Sequence, residues 1–112
     1  METNLTQSGD VKILNIAGSL DTNTAPELEN EVNAILDTKV ERLIFDLKDL
    51  AYVSSSGLRV FLMTAKKLMP NKGKLYLAAP NDTVKEILKV SGFDSIIPVS
   101  KDVEEALEKI NV

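Results

Sequence analysis

Three consecutive hydroxyls closed by a glycine, Ser54-Ser55-Ser56-Gly57, are the residues of this chain best placed to do chemistry. A serine can attack, cap a helix or carry a phosphate. Attack needs a base beside the hydroxyl. The chain has no histidine and no cysteine, so Ser-His-Asp and Cys-His catalysis are excluded, and so are most zinc sites. The Gly-x-Ser-x-Gly elbow and the Gly-x-x-x-x-Gly-Lys phosphate loop are both missing from the sequence. The serines are therefore not expected to be catalytic, and no cofactor or metal is implied.

Capping is the plain structural role for such a cluster, since one serine oxygen can accept a free N–H of the first helical turn. That explains one serine of the three. The other hydroxyls stand at a helix N-terminus, where aligned peptide dipoles favour an anion, so a phosphate on one of them is tolerated locally. A second segment, Gly18-Ser19-Leu20-Asp21-Thr22-Asn23-Thr24, is also rich in hydroxyls and also precedes a helix. Its Asp21 reads equally as a turn residue and as a polar partner across from the serines. Asp46 reads as a strand-end residue and Asp49 as a solvated loop charge.

The elements that position these segments alternate. Residues 11–16 form a β-branched strand, preceded by a short strand near residues 4–7 with Gly9-Asp10 as the turn. Thr24 and Glu27 have capping-box spacing, and Pro26 fits a first turn. Leu28, Val32, Ile35 and Leu36 then share one face of a helix reaching about Thr38. Residues 42–47 suit a strand buried on both faces, and residues 48–53 read as a connection. A second helix carries Leu58, Phe61, Leu62, Ala65, Leu68 and Met69 on one stripe and stops at Pro70-Asn71-Lys72-Gly73. Residues 74–78 are a strand. Asn81 or Asp82 caps a third helix with Val84, Ile87 and Leu88 inward, and Gly92 closes it. Residues 96–99 are a last strand, placed at an edge by Pro98. Ser100 caps a final helix bearing Val103, Ala106, Leu107 and Ile110. The order ββαβαβαβα predicts an α/β fold, a single domain over residues 1–112 with a mixed sheet of about five strands and about four helices.

A formal charge of −4, with the lysines scattered or paired as in Lys66-Lys67, argues against nucleic-acid and anionic-membrane partners. No apolar run reaches the length of a membrane span, and the polar start lacks a signal-peptide pattern, so a cytoplasmic setting is expected.

Residues 46–58, Asp-Leu-Lys-Asp-Leu-Ala-Tyr-Val-Ser-Ser-Ser-Gly-Leu, resemble the signature of the STAS domain, the fold of bacterial anti-sigma factor antagonists. Residues 18–28 resemble its other hallmark, a Gly-x-Leu-Asp turn entering the first helix. The resemblance implies a protein that binds an anti-sigma factor serine kinase and so frees a sigma factor for transcription. Phosphorylation ends the binding, and a phosphoserine phosphatase restores it. By motif position the acceptor is Ser55, with Ser56 and Ser54 as alternatives. Asp21, Thr22, Ser54, Ser56 and Gly57 are implied at the partner surface. The family usually places Asp before the acceptor, where this chain has Ser54. The other role open to such a domain is an unphosphorylated scaffold or sensor module of a transporter ATPase or another signalling complex.

Overall fold

A computed structural model of the chain describes residues 1–111. Strand β1 (Glu2–Ser8) turns at Gly9-Asp10 into β2 (Val11–Leu20), and the pair is antiparallel from Glu2 opposite Ala17 to Ser8 opposite Val11. Gly9 takes φ +59° in this two-residue turn, as a type II′ hairpin requires at its first central position. The chain continues through helix α1 (Ala25–Leu36), strands β3 (Arg42–Asp46) and β4 (Leu50–Val53), and helix α2 (Ser55–Leu68). Then come β5 (Lys74–Ala78), α3 (Asp82–Val90), β6 (Val99–Ser100) and α4 (Val103–Ile110).

The sheet runs β1-β2-β3-β5-β6, with every pair after the first parallel, and β4 pairs separately with β2. One layer of core holds α1, α2 and α3 around Leu14, Ile16, Leu20, Phe45, Phe61 and Leu77, all fully buried. On the opposite face α4 sets Ala106 and Ile110 against Val11, Ile44 and Ala78. β3 is thus covered on both sides, which is why its run from Leu43 to Asp46 is buried without alternation.

The α/β architecture stands as expected, with four helices and a mixed sheet. The sheet has six strands, because residues 50–53 form β4 and are not a simple connection. β2 also runs four residues beyond Ile16, since its far end finds β4 as a partner.

Smaller differences have local causes. α1 ends at Leu36, short of Thr38, and Lys39 follows with φ +60°. On α2, Val60 and Thr64 are buried while Met69 is 69% exposed, so the inward stripe is rotated from the expected one. Thr64 can lie inside because its hydroxyl donates to the Val60 carbonyl at 2.8 Å. The final strand is Val99–Ser100, at a sheet edge as Pro98 suggests, and Ile96 is exposed. Asp102, not Ser100, caps α4, accepting from the Glu105 N–H at 2.8 Å. Ser100 is drawn into the sheet opposite Ala78 and is 2% exposed.

Candidate functional site

The two hydroxyl-rich segments meet because β2 changes partner along its length. Residues 11–15 pair with β3; at Gly18 the register shifts and residues 18–20 pair with β4. Gly18 sits at φ +96°, a conformation that suits glycine, and its N–H donates to the Asp49 carbonyl at 3.0 Å. Leu20 therefore lies opposite Val53, and the Ser54 N–H donates to the Leu20 carbonyl at 2.8 Å. The loop that follows β2 and the turn that follows β4 leave the sheet side by side.

Gly57 sets how closely α2 approaches this pair. A Cβ there would stand 2.6 Å from Leu20 Cγ and 2.7 Å from Val53 Cγ2. Gly57 is buried, so its part in the site is to let the helix sit down on the two strands.

The three serines take three different positions. Ser54 is the N-cap of α2 in extended conformation, and its Oγ accepts from the Gly57 N–H at 3.4 Å. Ser56 is half-buried, and its Oγ lies 3.4 Å from Thr22 Oγ1, a hydrogen bond between the two loops. Ser55 is the first residue of α2 and is exposed, and its hydroxyl makes no hydrogen bond among the described residues. Capping therefore accounts for one serine and the bridge between loops for a second.

Asp21 does the structural work that its turn reading implies. Its Oδ1 accepts from the Asn23 N–H at 2.9 Å and the Thr24 N–H at 3.1 Å. Thr24 is the N-cap of α1 but makes no side-chain cap, so the capping box with Glu27 does not form. The Thr24 hydroxyl instead accepts from the Asp21 N–H and donates to the Ser19 carbonyl, each at 2.9 Å. The loop that carries Thr22 is thus held rigid by its own residues. The hydrogen bond across to the serines comes from Thr22, and the sequence held no signal for that pairing beyond two hydroxyls in separate loops.

Asp46 closes β3 and is buried. With Asp49 it accepts from Asn15 Nδ2, at 3.3 and 3.1 Å, on the α4 side of the sheet and apart from the serines. Among the described residues no group of acidic side chains is arranged to hold a metal ion, and no helix is long and apolar enough to cross a membrane.

The family model of the STAS domain matches residues 2–106 of the chain. The chain is 40% identical over 91 residues to BtrV of Bordetella bronchiseptica, named as a candidate anti-sigma factor antagonist. That match covers 81% of this chain and 78% of BtrV. A Thermotoga maritima protein described in the same terms superposes with a TM-score of 0.93 at 22% identity, over 98% of this chain and 95% of that one. The Bacillus cell-fate determinant SpoIIAA, solved in its phosphorylated form, superposes with a TM-score of 0.73 at 21% identity, over 97% and 99%. The chain belongs to the STAS domain family and, within it, to the anti-sigma factor antagonists.

Proposed function

We propose that the chain works by partner switching: unmodified, it binds a kinase-type anti-sigma factor and thereby releases a sigma factor, and phosphorylation of Ser55 ends that binding. The observation that carries the assignment to Ser55 is the division of labour among the three hydroxyls. Ser54 Oγ caps the helix and Ser56 Oγ bridges to Thr22, while Ser55 is exposed and its Oγ makes no hydrogen bond among the described residues. An acceptor hydroxyl must be reachable and must not hold the fold together.

In the transfer, Ser55 Oγ forms a bond to the γ-phosphorus of the kinase's ATP. The bond from that phosphorus to the β,γ-bridging oxygen breaks, and ADP leaves with the electron pair. The hydroxyl proton passes to a base of the kinase. A phosphatase reverses the state by directing water at the same phosphorus, which restores the serine and yields inorganic phosphate. The antagonist supplies only the acceptor and the docking surface, so it is not itself an enzyme in this scheme.

Ser54 in place of the family's usual Asp is compatible with this reading. Serine and aspartate are both preferred N-caps, so the substitution keeps the helix start while removing one negative charge. A phosphoserine adds about −1.5 to −2 charges at neutral pH. Set into a docking surface beside Asp21 and Thr22, that charge repels and must be desolvated. Each ~1.4 kcal/mol of penalty lowers affinity tenfold, so release needs no refolding. SpoIIAA, solved with and without phosphate, shows that this fold carries the modification in at least one relative.

Peptide mapping after incubation with ATP and an extract of the source cell tests the site. The expected phosphate is on Ser55. A phosphate confined to Ser54 or Ser56, or none together with copurification of membrane ATPase subunits, would contradict the proposal.

A further inference from the structure

The cation nearest to the acceptor along α2 has no counter-ion among the described residues. Arg59 stands four residues after Ser55 on the same helix, and both are exposed. Residues at i and i+4 are neighbours on a helix surface, and long side chains tend toward the N-terminus, which puts Ser55 within reach of Arg59. Arg59 makes no hydrogen bond or ion pair among the described residues; the two ion pairs between side chains there are Lys48–Asp46 and Lys109–Glu105. The first turn of α2 contains no acidic residue. A cation near the positive end of a helix is in an unfavourable field. A dianion on Ser55 would reverse that, being attracted both by Arg59 and by the free N–H groups of the turn.

We propose that Arg59 is the internal counter-ion of the phosphate on Ser55, holding it against the start of α2 by a charge-assisted hydrogen bond. This rests on Ser55 being the modified residue. It adds a claim about regulation: the guanidinium fork steadies the dianion and offsets part of its charge. Ser54 and Arg59 act in the same direction here. With an uncharged cap and an arginine, the modified turn carries a net charge near −1, where a carboxylate cap without the arginine would bring it near −3. The switch in this chain is then set by a milder local charge than a turn with the usual Asp would give.

Phosphoserine installed at position 55 by codon reassignment tests the contact without needing any kinase. The phosphorus resonance is followed by NMR through the second phosphate ionisation in the full chain and in its Arg59→Ala variant. The ionisation midpoint is expected about 0.3 unit lower with Arg59 than without it, the size of an i,i+4 ion pair. The gap should shrink in high salt. Arg59→Lys should recover part of it. Superimposable titrations of the parent and Arg59→Ala overturn the inference. Failure of the peptide map to find phosphate on Ser55 in cell extract overturns the parent reading instead, so the two failures are distinguishable.

Discussion

Helices α2 and α3 begin in the same way and put the beginning to different uses. Ser54 caps one by accepting from the Gly57 N–H at 3.4 Å, and Asn81 caps the other by accepting from the Val84 N–H at 2.8 Å. In both, the residue three after the cap is buried. Beyond that they diverge. α3 opens with Asp82, a built-in anion on the positive end of its dipole, and Asn81 also donates from Nδ2 to the Leu50 carbonyl at 3.0 Å. α2 opens with a bare hydroxyl and no acid. The difference teaches that capping alone does not mark a functional helix start. What sets α2 apart is an exposed Ser55, without a side-chain hydrogen bond among the described residues, next to a loop braced by Asp21.

The strongest way to break the comparison is at the buried position. Gly57→Ala puts a Cβ within 2.8 Å of Leu20 and Val53 side-chain atoms and should cost about 2–3 kcal/mol. At the matching place on α3 the opposite change hurts: Val84→Ala empties volume in a fully buried site and should cost about 2 kcal/mol. Urea unfolding at constant m-value checks both. A Gly57→Ala variant as stable as the parent would remove close approach as the reason for that glycine.

The caps come next. Asn81→Ala loses the 2.8 Å cap and leaves the Leu50 carbonyl unpaired, and about 1.5 kcal/mol is expected. Ser54→Ala loses only a 3.4 Å bond and should cost about 0.5 kcal/mol. Ser55→Ala removes no hydrogen bond and should stay within about 0.5 kcal/mol of the parent. Reversal of this order in the same unfolding experiment would mean that the serine turn is held chiefly by its hydroxyls, contrary to the division of roles above.

Much of this was readable from residue types. Periodicity located α1, α2 and α3, Pro98 marked an edge, and the turn residues Gly9 and Gly92 fell where a positive φ is needed. β4 was not readable, because four residues after Lys48-Asp49 carry too short a pattern and owe their strand state to β2. The capping box was misleading for a related reason: the Thr24 hydroxyl had a nearer partner in the Ser19 carbonyl, set by the fold of the loop and not by spacing. In the site, composition could rule out Ser-His-Asp and Cys-His catalysis, and the motif could point to Ser55. The allotment of Ser54 to the cap and Ser56 to Thr22 depends on two loops brought together by the register shift at Gly18, and no local sequence signal encodes that.

The central claim is that a single phosphate on Ser55 decides whether the partner is held. Calorimetry of an anti-sigma factor kinase from the source cell, titrated with the unmodified chain and with the chain bearing phosphoserine at position 55, tests it most directly. Measurable binding of the unmodified form is expected, with at least a tenfold loss for the phosphorylated one and with Ser55→Asp moving in the same direction. Equal affinity for the two forms would contradict it.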